Sequence, residues 1–421
     1  MLPQDAKPLY DLHASPSEVA MCWPDDSPMV ALIGNSGHSK WSRWSIVGHA
    51  SGKKLTVPLG QPLGAIKDEL STSGTTTLLP NWIGYISYEL GYAIEPKCGE
   101  APASDWPNAE FVWCECALIH DAESDSWWSI GNCKVPEMYP SEEHTRAWGD
   151  VEDSTSSESF SNAVKQTIKY IHAGDIFQAN ITRRYSATVD GNLRMQALAM
   201  LQKPGGWYGA WLEFPEEGRY VMSMSPELFM QYNEESRGIV TRPMKGTRPE
   251  GDAPETLLES AKDAAELHMI VDLMRNDLGR LCEFGSVQVQ EARAIERHPT
   301  VWQCVGEVHG KVRKGLSVID VLNATFPPGS VTGAPKIRAM QIINELEDTP
   351  RGPYCGAIGI LGKIAMLNVA IRTALFQGKG TPSAFCGTME YSSGCGIVAE
   401  SDPQAETVES EVKTRILRRQ R

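Results

Sequence analysis

Short runs of branched, aliphatic and aromatic residues, broken by glycine, proline and asparagine, fill the first part of the chain: MVALIGN, RWSIVGHA, NWIGYISYELG and SWWSIGNC. Such side chains pack well on a pleated surface and the breakers supply turns, so the pattern predicts sheet strands. Further on, apolar positions recur with a helical period in SFSNAVKQTIKYIHAG and TLLESAKDAAELHMIVDLMRNDLG, which predicts helices, the second over 256–281. GRYVMSMS, GAIGILG and LNVAIRTALF again read as strands. The most apolar region, 357–376, is interrupted by Lys363, Asn368 and Arg372, which excludes a plain membrane span and predicts two strands and a turn. Helices and strands do not alternate regularly, so an α+β sheet architecture is expected rather than a βα barrel.

One composition shift divides the chain. Residues 136–159, PEMYPSEEHTRAWGDVEDSTSSES, are acidic and poor in branched apolar residues, as a linker or long surface loop is. This separates an amino-terminal unit over 1–150 from a second unit over 158–421, an organisation in keeping with 421 residues, more than one ordinary core organises. The stretch FVWCECALI reads as one strand with Cys114 and Cys116 packed on a shared face.

Charge and cysteine usage narrow the function class. With 39 basic and 53 acidic residues the net charge is -14, which repels nucleic acid and anionic membrane. The short basic tail RILRRQR reads as a helix end. The start, MLPQDAKPLYDLHAS, has no cationic leader ahead of an apolar block, so no secretory signal is expected. Ten scattered cysteines without a CxxC unit point to reduced thiols in a cytoplasm.

Candidate chemistry starts with carboxylates. Asp263 and Glu266 lie three apart on the predicted helix, as do Glu406 and Glu409 in ESDPQAETVESEVKTRIL, so each pair shares a helical face and wants either solvent or a cation. Together with Glu227, in the turn SPELFM, they would line a cavity with oxygen ligands suited to magnesium. FPPGSVTGAPKIRAM sets Ser-Val-Thr-Gly ahead of a Pro-initiated helix whose free N–H groups suit an anion, and SSGCGIVAE is a second such place. No GxxxxGK[ST] or GxGxxG pattern occurs. In RPMKGTRPEG, Lys245 stands between a rigid Arg-Pro and the pair Gly246-Thr247, which lets backbone approach a ligand; by itself it is either a solvated charge or a functional amine.

Taken in order, GDIFQANITRRY, SMSPELFM, RPMKGTRPEG, KDAAELHMIVDLMRNDLGRL, FPPGSVTGAPKIRAM, YCGAIGIL, AIRTALF and GCGIVAESDPQAETVESE resemble the chorismate-utilising enzymes, which include anthranilate, aminodeoxychorismate, isochorismate and salicylate synthases. The resemblance covers 158–421 densely, and WIGYISYELG is similar to the amino-terminal subdomain of the two aminating members. It implies two large antiparallel β-sheets packed as a sandwich with helices outside, and chorismate as substrate. It also implies that Glu266 and Glu409, with Asp263 and Glu406 behind them, hold Mg2+ against the ring carboxylate. Arg372 and Tyr354 would clamp the enolpyruvyl carboxylate, Lys413 and the amides near Gly394 and Gly396 would complete the anion pocket, and Glu227 would be the general acid. Crowding by other carboxylates would raise its pKa into a usable range.

Two positions sort the reactions within the resemblance. Water-adding members have a lysine base where this chain has Gln178, which cannot take that role. Anthranilate synthases have alanine where Lys245 stands, whereas aminodeoxychorismate synthases have the lysine. The resemblance therefore implies amination at C4 through a neutral Lys245, favoured by burial and by neighbouring Arg242 or Arg248. The alternatives are anthranilate synthase component I and an inactive chorismate-binding regulatory subunit.

The chain departs from the family pattern at Gln303, where a histidine is usual, at Gly306, where a serine is usual, and at Leu267 after Glu266. Gln303 can donate a hydrogen bond but cannot carry a proton, and Leu267 reads as a packing change. Arg275 and Arg280 read as a structural ion-pair network at a helix end. No cysteine sits in a Gly-x-Cys-x-Gly turn, so ammonia is expected from a separate glutamine amidotransferase subunit.

Overall fold

The computed structural model describes residues 2–34, 41–139, 147–203, 206–298 and 301–417. Part of the expected linker, 140–146, and Arg418–Arg421 of the basic tail lie outside them. Among the described residues, two antiparallel sheets of twelve and ten strands form the body.

Both sheets draw strands from both parts of the chain. In the larger sheet Met29–Ile33 pairs with Tyr208–Phe214, and in the smaller one Asn81–Ile86 pairs with Ala357–Leu361. Asn81–Ile86 is buried at every position, which explains why WIGYI reads as a continuous apolar run rather than an alternating one. Its alternation survives in where the side chains go. Ile83 and Tyr85 pack with Val30, Leu212 and Val221 of the other sheet, while Trp82 and Ile86 join the cluster that holds Leu267, Ile270 and Met274 of a covering helix. This is the expected sandwich with helices outside. No helix of the described residues is long and apolar enough to cross a membrane.

Six elements carry the site. They are strands β1 (Gln178–Gly191), β2 (Met244–Pro249), β3 (Val301–Lys311) and β4 (Ala384–Ile397), and helices α1 (Ala261–Gly279) and α2 (Pro403–Thr414). β1 and β4 pair in the larger sheet; β2 and β3 pair in the smaller one.

Three local expectations need correction. The helix read over 256–281 is two, Glu255–Glu259 and α1, divided at Ser260, whose hydroxyl accepts the Asp263 amide at 3.2 Å. A serine with extended backbone is a good cap, and the cap beats continuous helical period here. FVWCECALI is not one strand: Ala109–Cys114 belongs to the smaller sheet and Ala117–Asp121 to the larger. LNVAIRTALF likewise divides between Ile364–Val369 and Thr373–Thr381, giving three strands over 357–381 rather than two over 357–376. The chain changes sheets through Ala370–Arg372, where Arg372 takes a left-handed φ of 51°.

Candidate active site

A cavity of about 630 Å³ opens between the two sheets and is walled by α1 and α2. That volume suits a small organic ligand. Lys245, Gly246, Thr247 and Gln303 come from the smaller sheet, Asn180, Gly394 and Gly396 from the larger, and Arg372 from the crossing between them. Glu227, Tyr354, Lys413 and all four helix carboxylates, Asp263, Glu266, Glu406 and Glu409, also line it. Residues distant in sequence are thus brought to one hole by the sheet packing.

Lys245 owes its placement to a bulge. The pairing of β2 with β3 sets Lys245 against Cys304 and Thr247 against Gln303, leaving Gly246 as the extra residue with a φ of 80°. Glycine adopts that conformation without steric cost. A Cβ at 246 would also come 3.1 Å from the Asp263 carboxyl carbon. The Lys245 Nζ donates to the Ser330 carbonyl at 3.5 Å. It also lies close to Gly396, where a Cβ would stand 3.1 Å from Nζ and 2.7 Å from the Gln178 Nε2. Amine and amide therefore meet over a glycine that has no side chain to separate them.

Gln178, expected to touch substrate, is wholly buried behind Gly396 and does not itself line the cavity, and neither its Oε1 nor its Nε2 has a hydrogen-bond partner; Gln303 Oε1 and Asn180 Nδ2, on residues that do line it, are buried without one as well. Buried polar atoms are nearly always satisfied, so the Gln303 and Asn180 atoms at the cavity are where a polar ligand can complete the set. Gln303 holds only a long contact, Nε2 to the Thr247 hydroxyl at 3.5 Å.

Glu227 is 4% exposed. Burial pushes its carboxyl up to about 7, against opposing pulls from the Ser330 hydroxyl, the Lys245 charge and the Met244 amide. The expected cause, crowding by other carboxylates, is not the one at work. The arginines expected to act on Lys245 are also committed elsewhere: Arg242 pairs with Glu307 at 3.1 Å and with Glu296, and Arg248 pairs with Asp263 at 2.8 Å.

On the opposite side the acidic residues form a wall. The Ser401 hydroxyl donates to Glu406 at 2.8 Å, and Lys413 bridges Glu409 at 2.8 Å and the Gly394 carbonyl at 2.7 Å. All four carboxylates face the cavity, and oxygen is the donor a hard divalent cation takes, but among the described residues the one group of three or more potential ligands within 4.8 Å of one another is Glu406, Glu409 and the Cys395 Sγ, so Asp263 and Glu266 do not converge with the other pair. Tyr354 is 3% exposed, and its hydroxyl would stand 3.1 Å from a Cβ at Gly394, so the missing side chain leaves ligand space there. Burial depresses the Arg372 guanidinium, which the neighbouring Tyr391 partly offsets.

The departures have physical reasons. A Cβ at Gly306 would sit 2.4 Å from a Val271 methyl, so the space a serine would use is filled from α1. Leu267 is fully buried in the core, as the packing reading has it. Arg275 and Arg280 pair with Asp272 and Asp277 at 2.9 and 2.8 Å, the expected structural pairs.

Sequence reasoning missed Asn180, Ser330 and Tyr391 as site residues. Strand period points to Asn180, which shares a face with Gln178 two residues before it. Ser330 lay within a segment already chosen for anion binding. Nothing in the sequence distinguishes Tyr391 from a core tyrosine.

Comparison with known proteins agrees in family. The chorismate binding enzyme family matches residues 40–419. Anthranilate synthase component 1 of Saccharolobus solfataricus is 32% identical over 96% of this chain and 96% of its own. Aminodeoxychorismate synthase component 1 of Bacillus subtilis is 31% identical over 85% of this chain and 82% of its own. Among solved structures, anthranilate synthase component I from Streptococcus pneumoniae superposes with a TM-score of 0.77 at 26% identity, covering 90% of this chain and 92% of that one.

Proposed function

The chain belongs to the chorismate-binding enzyme family, and we propose that within it this protein aminates chorismate at C4, giving 4-amino-4-deoxychorismate for para-aminobenzoate and folate synthesis. The observation that carries this reading is the Lys245 amine at the cavity floor beside Gln178. An amine there offers a nucleophile, and an amide beside it offers no base to activate water.

Placing nitrogen at C4 with retained configuration takes two displacements. The Lys245 Nζ bonds to C2 as the C4–O bond breaks, with Glu227 delivering the proton that lets the hydroxyl leave as water. Ammonia then bonds to C4 as the C2–Nζ bond breaks and the amine returns. A carboxyl near 7 is protonated often enough at neutral pH to serve as that acid. Arg372, Tyr354 and Lys413 hold carboxylate groups of the substrate, and Gln303 and Asn180 satisfy their orphaned atoms on its polar groups, with Gln178 behind Gly396 beside the Lys245 amine. Gly246, Gly394 and Gly396 leave the room this needs.

Asp263, Glu266, Glu406 and Glu409 fit magnesium by donor chemistry, and Glu266 and Glu409 are the residues assigned to hold it. When bound it neutralises the ring carboxylate of the substrate. Ammonia comes from a separate glutamine amidotransferase subunit, and free ammonia substitutes for it.

A second reading, anthranilate synthase component I, is favoured by the coverage of its relative, which spans 96% of this chain. In that reading Lys245 is incidental and the product loses pyruvate. Product identification by mass and fluorescence, after incubation with chorismate, magnesium and ammonium, separates them. The proposal expects 4-amino-4-deoxychorismate; fluorescent anthranilate from the wild-type protein overturns it.

A further inference from the structure

Behind the cavity and off its lining, Arg351 is 3% exposed and binds two segments that do line it. Its Nη2 donates to the Asn180 carbonyl of β1 at 2.6 Å, and its Nη1 donates to the Val331 carbonyl at 2.9 Å. Glu347 fixes the orientation of the guanidinium by accepting Nε at 2.9 Å and Nη2 at 2.6 Å, and it also accepts the Thr182 amide of β1 at 2.9 Å. The ring of Tyr88, from the amino-terminal part of the chain, lies 4.4 Å from the guanidinium, and a π face attracts the cation without taking a donor from those carbonyls. Ser330, next to Val331, is where nucleophile and acid meet: its carbonyl accepts the Lys245 Nζ at 3.5 Å, and its hydroxyl donates to Glu227. A planar fork sets the turn holding Ser330 at a fixed distance from the strand holding Asn180, which a lysine, a point charge with rotatable donors, cannot do.

We propose that Arg351 is a positioning residue for the chemistry at the cavity floor: through the Val331 and Asn180 carbonyls it holds the turn on which Ser330 touches both the Lys245 amine and the Glu227 carboxyl. It touches no substrate itself. The inference rests on the reading that Lys245 and Glu227 carry the reaction. A displacement of about an ångström at the reacting atoms costs about a hundredfold in rate, whereas Arg372, Lys413 and the acidic wall lie outside this clamp and still hold chorismate.

Arg351→Lys keeps the charge opposite Glu347 and loses the fork. Its single-turnover amination rate should fall about a hundredfold, with chorismate affinity within about threefold of wild type. The pH limb set by Glu227 should also move up by about half a unit or more, because a displaced Ser330 hydroxyl no longer favours the carboxylate, while the Lys245 charge and the Met244 amide still do. Arg351→Met combined with Glu347→Gln removes both buried charges and keeps an acceptor for the Thr182 amide, so it should fold as wild type does and show the same slow rate and shifted limb. A wild-type rate and limb in either variant overturns the proposal. So does a loss confined to affinity or to the melting temperature, which marks Arg351 as structural alone. Lys245→Ala and Glu227→Gln, measured alongside, separate this inference from the reading beneath it. If they keep the wild-type rate, the assignment of the chemistry fails; if they lose it while Arg351→Lys keeps it, only the role given to Arg351 fails.

Discussion

At the cavity floor Glu227 and Gln303 are each 4% exposed, with Gln178 fully buried just behind Gly396; three amide atoms of the two glutamines lack partners, and the Glu227 carboxyl is pushed up to about 7. Along the acidic wall Glu409 keeps 55% of its side chain in solvent, and Asp263 and Glu409 are each bridged by a cation. The floor spends desolvation to alter protonation and to leave polar atoms waiting, as proton transfer and covalent attack require. Although Glu406 is itself buried, the wall keeps Asp263 and Glu409 paired, and Glu409 hydrated, as a surface that only holds opposite charge does. Variants at the two places should therefore fail differently.

The largest effect is expected at Lys245. Lys245→Ala should make no detectable 4-amino-4-deoxychorismate, since a lost covalent route costs orders of magnitude, while the truncated floor admits ammonia or water to C2. Product analysis should find an anthranilate-type compound or isochorismate instead.

Wall variants come next. Glu266→Gln or Glu409→Gln should lower turnover by about a thousandfold through the lost metal charge, with the melting temperature little changed. Full activity of the wild type in EDTA would contradict the role given to the wall.

A smaller loss, about a hundredfold to a thousandfold in the single-turnover rate, is expected for Glu227→Gln with chorismate affinity kept, because an amide delivers no labile proton. The acid works only when protonated, so the wild-type rate should fall as pH rises above about 7, and that limb should vanish in the variant. A limb unchanged in Glu227→Gln would assign the acid elsewhere.

The smallest effect is on stability and isolates burial from chemistry. Glu89 is 1% exposed outside the cavity, and burial also pushes its carboxyl up to about 7, although the amides of Arg351, Gly352 and Glu89 itself pull it down. A raised folded-state pKa means that the stability is fully present below the unfolded value near 4.5 and is lost as pH rises to about 7. Glu89→Gln should flatten that fall, a change of about 2–4 kcal/mol between pH 4 and 8 measured by denaturant unfolding. A slope equal to wild type would mean that burial does not raise the Glu89 carboxyl in the folded state.

Much of this was legible in the sequence, where local chemistry decides the structure. Strands such as GRYVMSMS and the carboxylate pairs on α1 and α2 follow from period, and the site residues follow from motifs. What stayed hidden depended on long-range placement. The sheet changes at Glu115–Cys116 and at Ala370–Arg372 leave apolar runs almost unbroken, so period alone joins strands that the two sheets separate. Lys245 was found as a residue, but the bulge at Gly246 that aims it appears only once β2 pairs with β3. The cause of the Glu227 shift was missed for the same reason, since burial belongs to the packed site rather than to the string SPELFM.

Trapping the covalent adduct tests the central claim most directly. Wild-type protein given chorismate and magnesium without ammonia, then denatured and digested, should carry a chorismate-derived mass on the peptide containing Lys245, with fragmentation placing it at Nζ, and Lys245→Ala should carry none. An unmodified Lys245 under conditions where added ammonium still yields 4-amino-4-deoxychorismate would contradict the account and leave Lys245 a charge on β2 beside the site.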